Sequence, residues 1–214
     1  MQLSFTALNF QSTDIEAEER NYLNHHAALA ARMPGTRLYY TGRVIAPQGR
    51  APERFRAAIM GFDDAQAAAT AMQSEVIPPL IADSQAHLKD LIQKFIEAEV
   101  IVPFDSRRPG QKCFVMAAEF DLEMSGGPGA AERHYLETHV GIARRLPGLR
   151  NYMIGKFLEM GQKPDRYRCA ILVFDSHDAC RAAYRSPVGQ ELIKDEEATI
   201  RNAHVWRLDA RVEV

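Results

Sequence analysis

The chain has 214 residues, 46% of them hydrophobic and 25% charged, with 26 Lys and Arg against 28 Asp and Glu, a formal net charge of −2 and a pI near 6.4. That balance, with arginines scattered among acids, leaves no electrostatic footprint for nucleic acid. No apolar run approaches the ~18–20 residues of a membrane span, and the opening MQLSFTALNF has neither the basic nor the apolar region of a secretory signal, so a cytoplasmic protein without a membrane partner is expected.

In chain order, Leu3–Phe10 alternates as a strand does. Residues 19–42, ERNYLNHHAALAARMPGTRLYYTG, read as a helix stopped at Pro34-Gly35 and followed by a strand through Tyr39. Residues 52–74 supply a further strand and an Ala-rich helix. The segment PFDSRRPGQ, with two prolines, a glycine and three charges, reads as an exposed linker. A second series then begins with the strand-like run Cys113–Phe120. A helix is predicted from about Ala130 to Leu146, its last turn carrying Arg144 and Arg145 against the negative end of the helix dipole. Strands follow at Arg150–Leu158 and Arg166–Phe174 around a GQKPD turn. Helices start at Asp175 and at Ser186-Pro187, and Ile200–Val212 alternates as the last strand.

The second series repeats the first. Residues 132–155, ERHYLETHVGIARRLPGLRNYMIG, are identical to residues 19–42 at half of 24 positions with a constant offset of 113, and residues 164–186 match 52–74 with an offset of 112. Asp83 and Asp195 also coincide. A repeat of this length is a structural unit. The predicted organisation is a first repeat at 1–103, a linker at 104–110 and a second repeat at 111–214. Each has the order β-α-β-β-α-β of the ferredoxin-like arrangement. The fold class is therefore α+β: two tandem ferredoxin-like repeats whose bare sheet faces cover each other as an intrachain pseudo-dimer, with any cavity lying between a sheet and its own helices. Further homodimerisation is left open. Gly42 and Gly155 are expected to permit a bulge or a close backbone approach.

The stretch HYLETHVGIARRLPGLRNY, followed by a strand ending in Phe-Asp and by SPVGQEL, resembles the EthD-like branch of the dimeric α+β barrel superfamily. The resemblance implies cofactor-free isomerases, dehydratases, cyclases or monooxygenases acting on small aromatic, lactone or polyketide compounds, and other branches of the superfamily bind haem. Fold does not fix chemistry here.

Candidate chemistry gathers on the first helix of each repeat. Glu132, Tyr135 and His139 share a face at i, i+3 and i+7. His134 and His139, five apart, diverge by about 140° on an ideal helix, so no zinc or other metal site is expected, in contrast to an i, i+4 histidine pair. Histidine is the usual general acid or base near neutrality, and a tyrosine hydroxyl can donate to a developing enolate. His134, Tyr135 and His139 are thus the candidate catalytic residues, in the second repeat. The first repeat keeps Glu19, Tyr22 and His26 but has Asn21 in place of His134. Tyr152, His204, Trp206, Tyr22 and His26 are candidate substrate-binding residues. The same Tyr/His face also reads as a buried polar network that pins helix to sheet. The expected function is a cofactor-independent lyase or isomerase acting on a small molecule. The alternatives are a non-catalytic binding protein and a monooxygenase, cofactor-free or with haem held by His26, His134, His139 or His204. Cys113, Cys169 and Cys180 form no CxxC and read as small packing thiols.

Overall fold

The computed structural model describes residues 1–46, 50–103, 108–160 and 164–214. Residues 104–107 of the predicted linker and 161–163 of the predicted GQKPD turn lie outside the described residues.

The first repeat runs β1 (Gln2–Phe10), α1 (Ile15–Asn21), a π turn (Tyr22–His26), α2 (Ala27–Ala30), β2 (Thr36–Val44), β3 (Arg56–Phe62), α3 (Ala65–Ala71), α4 (Ile77–His87) and β4 (Leu88–Val102). The second runs β5 (Lys112–Leu122), α5 (Pro128–His134), a π turn (Tyr135–His139), α6 (Val140–Ala143), β6 (Leu149–Phe157), β7 (Arg168–Phe174), α7 (His177–Arg185), α8 (Pro187–Thr199) and β8 (Ile200–Val212). The α+β order expected from the sequence is present in both copies.

Local chemistry sets the boundaries. Asp14, Asp64, Ser176 and Ser186 cap helices by accepting backbone N–H bonds, and Pro187 takes the first turn of α8, where its missing N–H has no cost. The helix stops fall at Gly35 and Gly148, whose φ of +77° and +73° suits glycine. In the β2–β3 and β6–β7 pairs the strand irregularities lie at Arg37, between Thr36 and Leu38, and at Arg150, between Leu149 and Asn151. They do not fall at Gly42 or Gly155. Both pairs of flanking residues sit just after the positive-φ glycine, where the chain turns out of the helix into the sheet.

A second device is duplicated with its parts exchanged. Asp90 and Asn202 both adopt positive φ, which short polar side chains tolerate. Asn9 Nδ2 donates to Asp90 at 3.1 Å, and Asn202 Nδ2 donates to Asp121 at 3.0 Å. Donor and acceptor have changed places, but the bond at the start of β4 and of β8 survives.

The structure divides into two compact units. In the first unit β4, β1, β3 and β2 form an antiparallel sheet, with β1 central between β3 and β4. Residues Ala210–Val214 belong to this unit as well: Tyr39 N–H donates to the Val214 carbonyl at 3.3 Å, and Glu213 N–H to the Tyr39 carbonyl at 2.7 Å. Val214 packs on the core cluster of Leu8, Phe10, Tyr22, Tyr39 and Leu88. The second unit has β8, β5, β7 and β6 in order, and it contains β4 from Ala98 onward. There Asn151 Nδ2 donates to the Val102 carbonyl at 2.8 Å. Each repeat has therefore given the end of its last strand to the other unit. Among the described residues no helix is long and apolar enough to cross a membrane.

Candidate active site

The first helix of each repeat is interrupted by a π turn, closed by the Ala27 N–H to the Tyr22 carbonyl and by the Val140 N–H to the Tyr135 carbonyl. Bonds of this i→i+5 kind place residues five apart on one side of the helix. That corrects the expected 140° divergence of His134 and His139. Both grip one carboxylate, His134 Nε2 lying 2.6 Å from Asp195 Oδ1 and His139 Nδ1 2.8 Å from Asp195 Oδ2. In the first unit His26 Nδ1 lies 2.7 Å from Asp83 Oδ2, and Asn21 Nδ2 donates to Asp83 Oδ1 at 3.4 Å. Asn21 thus does for Asp83 what His134 does for Asp195, so the difference at that position preserves the clamp.

The rest of the column is repeated too. Tyr22 stacks on His26 with ring centroids 4.9 Å apart, and Tyr135 on His139 at 5.1 Å. Arg56 lies over the Tyr22 ring at 4.6 Å, and Arg168 over Tyr135 at 5.1 Å. Arg56 is ion-paired with buried Glu19, which Arg43 also meets at 2.8 Å. Arg168 is paired with Glu132, which Lys156 meets at 3.2 Å. Burial pushes Glu132 upward, but hydrogen bonds from Arg168 and Lys156 outweigh it and hold the carboxyl below its ordinary range.

Burial lowers the pKa of His26 and of His139, opposed in part by Asp83 and Asp195 respectively. A carboxylate only accepts, so Nδ1 of each ring carries the proton and Nε2 is left with the lone pair. Asp83 and Asp195 were visible in the sequence as matched positions, although nothing there tied them to the histidines. Arg56 and Arg168 were likewise matched without a role.

Both histidines line cavities that lie between a sheet and its own helices, as expected. In the first unit the cavity measures about 550 Å³ and is walled by His26, Tyr22, Tyr39 and mainly apolar side chains. In the second it measures about 170 Å³ and reaches His139 and Tyr152. The site predicted in the second repeat thus has its roomier counterpart in the first. Tyr135 is buried beneath His139 and is absent from the cavity wall. Burial and then Tyr152 raise its pKa well above the usual range. Burial raises Tyr39 in the same way. His204 and Trp206 do not wall the cavity. Strand alternation puts Ala203, Val205 and Arg207 on its side of β8, and Trp206 on the other, where its indole N–H donates to Glu119 at 2.9 Å. Among the described residues no group of three or more His, Cys, Asp or Glu side chains is arranged to hold a metal ion.

Two ferredoxin-like βαββαβ modules in one chain, each with a helix-borne histidine facing a cavity under its sheet, define a fused form of the dimeric α+β barrel class. The chain belongs to the EthD domain family, whose model matches residues 128–200 of the second repeat. An uncharacterized 11.0 kDa protein from the thcB-thcC intergenic region of Rhodococcus erythropolis is 32% identical over 69 residues, covering 32% of this chain and 67% of that protein. Among solved structures, a candidate monooxygenase from Lactobacillus acidophilus NCFM superposes with a TM-score of 0.71 at 14% identity, over 100% of this chain and 95% of its own. Another from Fusobacterium nucleatum subsp. nucleatum ATCC 25586 gives 0.74 at 11% identity, over 99% of this chain and 93% of its own. These two structures share the fold along the whole chain.

Proposed function

We propose that the protein is an enzyme that moves a proton on a small, largely apolar carbonyl compound bound in the first-unit cavity. The observation that carries this reading is the pairing of His26 with Asp83 at the wall of a cavity of about 550 Å³, a size suited to a compound of a few fused rings. Asp83 holds the Nδ1 proton and aims the ring. Burial keeps the imidazole neutral, so Nε2 removes a proton from the carbon next to the substrate carbonyl. The electron pair of that C–H bond moves onto the carbonyl oxygen. Tyr39 and Tyr22 line the same wall. Tyr39, kept protonated by burial, donates a hydrogen bond to the enolate. Returning the proton to another carbon completes an isomerisation, and loss of a leaving group from the enolate completes a lyase reaction. The chemistry needs no cofactor. His26 offers an imidazole to haem, but among the described residues the cavity wall has no Lys or Arg for its propionates, so those residues do not fit that group.

A second reading, favoured by the names of the two solved structures, takes the same enolate onward with molecular oxygen. For anthrone the balance is one substrate plus one O2 giving anthraquinone plus water. Anthrone is also the probe that separates the readings. Wild type is expected to speed exchange of its acidified CH2 protons for deuterium, followed by NMR. His26→Asn should slow that exchange by at least about 100-fold, the usual worth of a general base. Asp83→Asn should slow it less and shift its pH profile to lower pH, since the carboxylate raises the His26 pKa. Oxygen uptake in parallel supports the oxygenase. Equal rates for wild type, His26→Asn and buffer would overturn both and leave a binding cavity.

A further inference from the structure

The two cavities are the same place in the two repeats. Each of the fifteen positions lining the smaller one corresponds, at the repeat offset of 112 or 113, to a position lining the larger. Ser4, Thr6 and Gln93 of the larger cavity are matched by apolar Met116, Ala118 and Val205 in the smaller, whereas three other positions change the opposite way, to a phenol or a charge-bearing group. Met72, Ser84 and Phe95 in the first unit become Tyr184, Glu196 and Arg207 in the second. Ser84 is occupied with its own helix, donating to the Leu80 carbonyl at 2.8 Å. In the second unit none of the three side chains has a hydrogen-bond or ion-pair partner among the described residues. They come from α7, α8 and β8, are partly buried and line one cavity. A few polar side chains that converge on a mainly apolar cavity fix the orientation of a guest, and these three mark a place for a polar one.

We propose that the second-unit cavity is a separate binding site for a small hydroxycarboxylate. Arg207 takes the carboxylate, Glu196 hydrogen-bonds the hydroxyl, and the Tyr184 hydroxyl lies between them. Tyr184 feels both Arg207 and Glu196 electrostatically, and Glu196 and Arg207 reach the same cavity from different elements, α8 and β8. The volume, about 170 Å³, equals roughly five or six water molecules at ~30 Å³ each, which bounds the guest at about six non-hydrogen atoms and excludes the multi-ring compounds that fit the first unit. This site stands on its own residues and does not depend on the reaction proposed for the first cavity.

The test is calorimetric titration of the full chain with lactate, and with propionate and lactamide as analogues lacking the hydroxyl or the charge. Lactate is expected to bind one per chain, at least 10-fold tighter than either analogue, because a site built to hydrogen-bond a hydroxyl leaves its own group unpaired when that hydroxyl is missing. Arg207→Met should weaken lactate at least 10-fold. Glu196→Ser, which installs the first-repeat residue, should remove the preference for lactate over propionate. His26→Asn should change nothing, and a loss of lactate binding there would place the guest in the other unit and overturn the proposal. So would absence of saturable lactate binding, or affinity unchanged in Arg207→Met. Should Arg207→Met fail to fold, Tyr184→Phe carries the same test, since it deletes a donor without altering charge and must also weaken lactate.

Discussion

Glu196 is held protonated near neutrality by burial first and by the neighbouring charge of Asp195 second, its pKa pushed up to about 7 from 4.5. Its surroundings include Asp195 on its own helix, Tyr152 on β6 and Tyr184 on α7, with Arg207 of β8 on the same cavity wall. A group whose folded pKa is raised supports the fold fully below its unfolded value and loses that support as pH climbs through the folded one. The span from 4.5 to about 7 corresponds to about 3 kcal/mol at ~1.4 kcal/mol per pH unit. Glu196→Gln should therefore raise the melting temperature at pH 8 by roughly 6–12 °C, at about 2–4 °C per kcal/mol for a chain of this size, and leave it unchanged at pH 4. His26 and His139 act in the opposite sense. Their folded pKa values are lowered, so their support is present above 6.5 and fades as pH falls below it. A shift at pH 4 as large as at pH 8 would mean that the carboxyl is not the source.

The helix that carries the candidate residues shows where sequence reading succeeds and where it stops. Tyr22, His26, Tyr135 and His139 could be picked out because they recur at a fixed offset in otherwise divergent helices. The α-helices, strands and caps followed from alternation, from Pro-Gly stops and from Ser186-Pro187. The π turn has no such signature. One extra residue in a helical turn leaves composition and periodicity almost untouched, yet it swings His134 onto the same carboxylate as His139. The partner Asp195 lies 56 residues from His139, beyond any local pattern. The size of a cavity was equally hidden, because its wall is assembled from side chains on different elements, where Ser4, Leu8, Met72 and Ser84 of the larger are matched by Met116, Phe120, Tyr184 and Glu196 of the smaller. Half-exposed Leu136 lies within the second π turn. Deleting it should restore ordinary α-helical spacing and preserve the far-ultraviolet circular dichroism, while separating His134 from Asp195. The expected cost is at least about 1.5–3 kcal/mol, the worth of one hydrogen bond to a charged group, read from denaturant unfolding. Stability equal to wild type would show that the clamp contributes nothing.

The two repeats are alike in sequence but unequal in their cavities. Both keep the His–Asp pair and the Glu–Arg pair beneath it, and among the described residues only the first has a cavity large enough for a ring system. Duplication within one chain permits this inequality, since a symmetric homodimer must change both sites at once. The exchange of strand ends ties the two fates together. Residues 98–102 complete the second unit and residues 210–214 the first, and Tyr39, which walls the larger cavity, has its backbone bonds to Glu213 and Val214. A polypeptide ending at residue 103 would lack the segment that covers β2, and one starting at 111 would lack the segment bonded to Asn151. Each would expose an unpaired strand edge, which invites association. Expressed separately, residues 1–103 and 111–214 are accordingly expected not to fold as monomers. The first should self-associate, since its own Ala98 and Val100 occupy the repeat positions of Ala210 and Val212. Mixing the two should restore cooperative unfolding with a midpoint near that of the intact chain. Size-exclusion chromatography with light scattering, followed by thermal unfolding of each half and of the mixture, measures all three. A monomeric 1–103 fragment that melts cooperatively near the intact protein would show that the exchanged ends are dispensable.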